Sequence, residues 1–130
     1  MHAAVIRTYG DESVFEIQDN LTPPEPKSNQ VLVKISASSV NPIDLMKREG
    51  YGRSIFEKQR RINFPWVIGS DFSGQVVSTG NKVTRIKEGD EVWGCSSNAN
   101  SGTYAEYAAI DQEEVNIKPK NLTFEEAASL

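Results

Sequence analysis

The chain has 130 residues, with 14 basic and 18 acidic side chains and a formal net charge of −4. That length bounds it to one domain, able to bury about two-thirds of its unfolded surface, and the acidic balance argues against a nucleic-acid or anionic-membrane binder. A single cysteine, Cys95, excludes an internal disulfide framework and a cysteine-based zinc cluster.

The opening MHAAVIRTYGDE turns polar too soon for a secretory signal, and no later run is long and apolar enough to span a bilayer. No membrane partner is expected, and the expected compartment is cytoplasmic. Short strand-like runs then alternate with turn signals. AAVIRT is the first strand and VFEIQD the second, and the proline-rich LTPPEPKSNQ is an extended connector. VLVKISASSV alternates, with Val31, Val33, Ile35 and Ala37 on one face and Lys34, Ser36 and Ser38 on the other. Asn41-Pro42 breaks that strand, and DLMKREG forms one short amphipathic helix ended by Gly50.

Residues 47–61 hold six basic and two acidic side chains, read as a solvated loop or as an attractor for an anion, a neighbouring domain or a charged cofactor. FSGQVVSTG, EVWG, TYAEYAAI and EVNIKP are further strands, punctuated by Gly80-Asn81 and Gly89-Asp90. In NLTFEEAASL, Thr123 precedes Glu126 by three residues, the spacing of a capping box at a helix start. A helix that stopped at Leu130 would be too short to stand alone, so a continuation is expected beyond it. The fold class expected is mainly β, a small barrel or sandwich with a few short helices.

The chemistry-bearing residues are few. A catalytic zinc needs three protein ligands. The chain offers His2 beside its terminus, Cys95 and scattered carboxylates, with no HxxxH or CxxC spacing, so no metal is expected. The same lone histidine leaves no nucleophilic triad, and neither GxGxxG nor GxxxxGK[ST] occurs. Cys95 reads as a small residue after a strand.

The segments VNPIDLMKREGYG, FPWVIGSDFSGQVVSTGNKVTRIKEGDEVWG, GTYAEYAAI and KPKNLTFEEAASL stand in an order that resembles the medium-chain dehydrogenases/reductases, closest to their zinc-free quinone oxidoreductase branch. The resemblance covers essentially the whole chain. It implies that residues 1–130 form the N-terminal catalytic domain, a GroES-like, partly open β-barrel. A Rossmann domain that holds the nicotinamide cofactor is then expected to follow. Zinc alcohol dehydrogenases of that family carry Cys at the place of Asn41 and a His-Glu pair at the place of Ser70-Asp71, so two of the usual metal ligands are replaced here. Where quinone reductases often carry tyrosine, this chain has Met46, and their substrate pocket does not carry over at that position.

Asn41 reads in two ways. It is a helix N-cap before Pro42 at the first helical position. By resemblance it also faces the nicotinamide and substrate, where its amide donates to an oxygen that gains negative charge, the task a metal would otherwise perform. Asp44 either holds the helix start or touches cofactor. Tyr51 is a packed aromatic or a donor to a substrate oxygen. Ser70 and Asp71 satisfy turn backbone or line the substrate cleft. RSIFEKQRRINF is a candidate lid or subunit contact.

The expected function is the substrate-side half of a zinc-independent, NADPH-dependent reductase of a quinone, enone or similar activated carbonyl. It would be a homodimer when complete and inactive as this segment alone. The alternative is a stand-alone GroES-like binding module without catalysis.

Overall fold

The computed structural model describes residues 1–50, 64–97 and 101–130. Among them are eight strands and two α-helices. The strands are β1 (Ala3–Ile6), β2 (Phe15–Gln18), β3 (Gln30–Ser38), β4 (Trp66–Val67), β5 (Asp71–Thr79), β6 (Glu91–Cys95), β7 (Tyr107–Asp111) and β8 (Val115–Ile117). The helices are α1 (Pro42–Glu49) and α2 (Phe124–Ala128). The strands form a three-stranded sheet in the order β2-β1-β4 and a five-stranded sheet in the order β7-β3-β5-β6-β8. Every pairing is antiparallel, and the two sheets do not close into one ring, which is the expected mainly β, partly open barrel. No helix among the described residues is long and apolar enough to cross a membrane.

Alternation builds the main core. Val31 and Val33 of β3, Phe72 and Val76 of β5, and Val92 of β6 and Ile110 of β7 are all buried in one cluster. A smaller cluster gathers Ile6, Trp66 and Ile68 under Tyr9, Phe15 and Tyr104. The central pair β3 and β5 runs close: a Cβ on Gly74 would lie 2.1 Å from the Lys34 carbonyl oxygen. The pairing there shifts register between Ile35 and Ala37, a bulge that bends β3 toward the helix it feeds.

Several boundaries differ from the pattern-based expectation. β3 ends at Ser38 rather than Val40: Ser38 is the last residue paired with β5, and Asn41, extended before Pro42 (φ −125°, ψ 160°), lies outside the ladder. TYAEYAAI is a strand only from Tyr107. Its first half crosses between the sheets instead: Tyr104 N–H donates to the Ile68 carbonyl at 3.0 Å, the Tyr104 carbonyl accepts from Ala4 N–H at 2.9 Å, and the Glu106 carbonyl accepts from Ile35 N–H at 2.8 Å. β4, with two residues, is too short to show a period and was not expected.

Both helices depart from simple amphipathic readings. In α1 the buried residues are Asp44 and Arg48, while Ile43, Leu45 and Met46 are exposed. The helix therefore faces its charges inward. Gly50 closes it in the left-handed conformation (φ 94°). α2 begins with the expected capping box: Thr123 Oγ1 accepts from Glu126 N–H at 3.1 Å, and Glu126 Oε1 accepts from Thr123 N–H at 3.1 Å. That pairing holds the Glu126 carboxyl below its ordinary pKa.

α2 packs on the sheet with Ala127 and Ala128 buried. Ser73 Oγ donates to the Phe124 carbonyl at 2.5 Å, and Lys118 Nζ donates to the Leu122 carbonyl at 2.6 Å. Small side chains let the helix approach, and hydrogen-bond donors from β5 and the β8 end meet its backbone.

Candidate functional site

Three segments converge at the start of α1: the turn Ser39–Asn41, the head of β5 at Ser70–Asp71, and the crossing segment at Thr103–Tyr104. Pro42 fixes the backbone at the first helical position, and Asn41 stands at the N-cap. Asn41 and Asp44 form a capping box, and Asp44 N–H also donates to the Asn41 main-chain carbonyl at 2.9 Å. The returning arm comes from Asp44, whose Oδ2 accepts from Asn41 N–H at 3.0 Å.

The Asn41 side chain turns to β5. Its Nδ2 donates to Asp71 Oδ2 at 2.7 Å and sits 3.3 Å from Ser39 Oγ. Ser39 Oγ in turn faces the same Asp71 oxygen at 2.7 Å and the Ala128 carbonyl at 3.1 Å, which links this cluster to the end of α2. The Cys95 thiol is a third neighbour of Asp71. Burial first, then the hydrogen bond to Asp71 and the charges of Asp71 and Glu114, push its pKa up. Such a thiol stays protonated at neutral pH and is a poor nucleophile.

Asp44 is 1% exposed. Besides Asn41 N–H, its Oδ2 meets the Tyr104 hydroxyl at 3.0 Å, and Ser70 Oγ lies 3.5 Å from Oδ1. Burial, followed by the Asp44 charge and hydrogen bond, pushes the Tyr104 phenol well above its ordinary value. Ser70, also buried, accepts from Lys47 Nζ at 3.3 Å. Gly69, before it, has φ 108°, and a Cβ there would lie 2.6 Å from both Thr103 Oγ1 and the Tyr104 ring. Only glycine permits this approach of β5's head to the crossing segment.

The structure thus brings Asn41, Asp44, Ser70 and Asp71 together. Asn41 and Asp71 are half-buried, whereas Asp44 and Ser70 lie beneath them and direct their polar atoms inward. The Asp44 carboxylate meets Asn41 N–H and the Tyr104 hydroxyl. Tyr51, the RSIFEKQRRINF segment apart from Phe64, and most of the basic run lie outside the described residues. Ser39 and Tyr104 belong to the cluster and were not singled out from sequence. Ser39 had the one available signal, a hydroxyl two residues before the N-cap.

Around the cluster the surface is apolar. Val40 is 71% exposed and Ile43 45% exposed. A hollow of about 260 Å³ beside α1 is lined by Val40, Leu45, Phe15 and Tyr104 among others. Among the described residues no group of three or more His, Cys, Asp and Glu side chains gathers that could hold a metal ion. His2 pairs with Asp19 at 3.0 Å on the surface. The residues present fit the nicotinamide end of a dinucleotide, an apolar face with uncharged donors. No glycine-rich loop for its phosphates occurs in the sequence.

Residues 27–120 match the alcohol dehydrogenase GroES-like domain family. The chain is 35% identical over its whole length to NAD(P)H oxidoreductase RTN4IP1, mitochondrial, of Dictyostelium discoideum, covering 37% of that protein. It is 36% identical, again over 100% of its length, to NADPH-dependent alkenal/one oxidoreductase, chloroplastic, of Arabidopsis thaliana, covering 34% of it. The quinone oxidoreductase of Coxiella burnetii superposes with a TM-score of 0.88 at 33% identity, over 100% of this chain and 40% of that one. The chain therefore spans 37% and 34% of the length of these two curated relatives.

Proposed function

Since the chain belongs to the alcohol dehydrogenase GroES-like domain family of medium-chain dehydrogenases/reductases, we propose that it is the substrate-side module of an NADPH-dependent oxidoreductase. Its substrate would be a quinone, an enone or a similarly activated carbonyl, and its chemistry zinc-independent. The observation that carries this reading is the Asn41 amide, anchored on Asp71 at 2.7 Å beside exposed Val40 and Ile43.

NADPH, when bound, supplies the hydride. The chain's own residues supply the rest. One Asn41 Nδ2 hydrogen is committed to Asp71. The other meets only the weakly placed Ser39 oxygen at 3.3 Å, and it can turn to a substrate oxygen as negative charge grows there. Because the donor is an amide, it needs no change of protonation. The apolar surface of Val40, Ile43 and Met46 excludes water from the hydride path and suits a flat conjugated ring. Asp44 and Ser70 hold the turn from below. Names of relatives support the substrate and cofactor class: one is an NADPH-dependent alkenal/one oxidoreductase and another a quinone oxidoreductase.

The test is NADPH oxidation by the protein expressed from its complete gene, with a panel of quinones and enones, before and after dialysis against a chelator. Turnover that survives chelation supports the reading. No turnover with any member of the panel would leave the stand-alone binding module, and activity lost on chelation and restored by Zn²⁺ would end the zinc-independent assignment. Sedimentation of the same sample tests the expected homodimer, and cell fractionation the expected cytoplasmic location.

A further inference from the structure

We propose that Asp71 is the positioning residue of this site: its carboxylate sets the direction in which the Asn41 amide nitrogen points. The inference rests on the proposed reductase reading and deepens it.

Four observations carry it. First, Asp71 Oδ2 meets Asn41 Nδ2 at 2.7 Å, short for an amide donor and in the range of charge-assisted bonds. Second, an ionised carboxylate only accepts, so the group facing it is the amide nitrogen and the carboxamide cannot turn over. Third, the cap leaves the amide nitrogen available: the capping box uses the main chain and the carboxamide oxygen of Asn41 with Asp44, and Nδ2 alone donates to Asp71. Fourth, the two partners come from different elements. Asp71 opens β5, is paired with Cys95 of β6, and its main-chain carbonyl accepts from Ser38 Oγ at 2.6 Å. The clamp is therefore fixed to the five-stranded sheet and the amide to the turn before α1.

The same carboxylate gathers Ser39 Oγ at 2.7 Å and the Cys95 thiol. Donors from the turn before α1 and from β6 compensate its charge. Ser39 has a further consequence. Its only hydrogen favours Asp71, so its oxygen holds the second Asn41 hydrogen loosely, and a ligand oxygen can draw that hydrogen away while the first stays on Asp71. Asp71 thus acts through Asn41 and does not touch the reacting atoms.

The experiment is a double-mutant cycle on the protein expressed from its complete gene. Asn41→Ala, Asp71→Ala and the double variant are assayed with NADPH and a quinone. Asn41→Ala removes a donor to developing charge and is expected to lower kcat about 100-fold. Asp71→Ala misdirects that donor and is expected to lower kcat at least about 10-fold, with the quinone KM changed by less than about threefold. In the Asn41→Ala background, Asp71→Ala is expected to cost less than about twofold more. Asp71→Asn, which keeps the shape, stands in where the alanine variant does not fold, with the same non-additivity expected.

A second readout is independent of turnover: the side-chain amide protons of Asn41 in ¹⁵N-labelled protein move upfield and exchange faster when Asp71 is replaced. Additive kinetic losses, or an Asn41 amide signal indifferent to Asp71, overturn the positioning role while leaving the reductase reading intact. An Asp71-dependent amide signal in a protein without turnover sinks the reductase reading and, with it, any catalytic meaning of the clamp.

Discussion

Replacing Tyr104 with Phe removes one hydroxyl and keeps the ring. In the structure that hydroxyl lies 3.0 Å from Asp44 Oδ2, and Asp44 is 1% exposed, so water does not readily take its place. The ring keeps its packing against Phe15, 6.5 Å between centroids. The hydroxyl's one hydrogen lies between Asp44 Oδ2 and the Ser39 carbonyl, 3.2 Å away, so the loss is that of a hydrogen bond to a charged group, about 1.5–3 kcal/mol. At a slope of about 2 kcal/mol per molar urea, the unfolding midpoint falls by about 1 M.

Urea titration followed by the fluorescence of buried Trp66 measures it, and pH gives a second arm. The folded phenol is held above its unfolded value, about 10. Above pH of about 10 the unfolded chain loses that proton first, so the native state binds more protons and stability falls as pH rises. The contribution of Tyr104 is fully present below that pH and is lost through the folded pKa. The gap between wild type and Tyr104→Phe should therefore stay constant from about pH 6 to 9 and close above about pH 10. A midpoint within about 0.2 M of wild type, or a gap unchanged in alkali, would refute the claim that this phenol serves the buried carboxylate.

Gly69→Ala puts a Cβ 2.6 Å from Thr103 Oγ1 and from the Tyr104 ring, at φ 108°. Backbone strain and overpacking together are expected to cost about 2–5 kcal/mol, read as a lower urea midpoint; a loss under about 1 kcal/mol would contradict it. Ser73→Ala removes the donor to the Phe124 carbonyl at 2.5 Å. It should destabilise by about 1 kcal/mol and speed amide exchange selectively in α2, whereas exchange unchanged there would show that packing alone holds the helix. Although Cys95 is exposed, its raised pKa predicts slow reaction with a disulfide reagent at neutral pH and a rate that climbs only in alkali. Asp71→Asn should speed that reaction at neutral pH, because it removes a carboxylate that opposes the thiolate; an equal rate would count against the Cys95–Asp71 contact.

Local sequence was enough for much of this. Alternation in β3, the glycine turns between β5 and β6, Pro42 at the first position of α1, and the Thr123–Glu126 box each follow from a period or a rigid residue acting within a few positions. The resemblance to medium-chain dehydrogenases/reductases pointed to Asn41, Asp44, Tyr51, Ser70 and Asp71, while the scarcity of metal-ligating side chains argued only against a metal. What no local rule could decide was direction. α1 carries three apolar residues among its charges, and a period-3.6 reading places those inward. The fold buries Asp44 and Arg48 instead, since Tyr104 and Ser70 meet the first and the Gly10 carbonyl meets the second at 3.2 Å.

Those partners come from up to 60 positions away in the chain. The same holds for the Asn41 amide, which propensity assigns to the helix cap and the sheet draws to Asp71 across 30 positions. Capping is a property of neighbours in sequence. The aim of a donor depends on which charged acceptor the strands bring within 3 Å, and that is set only when β3, β5 and the crossing segment have packed.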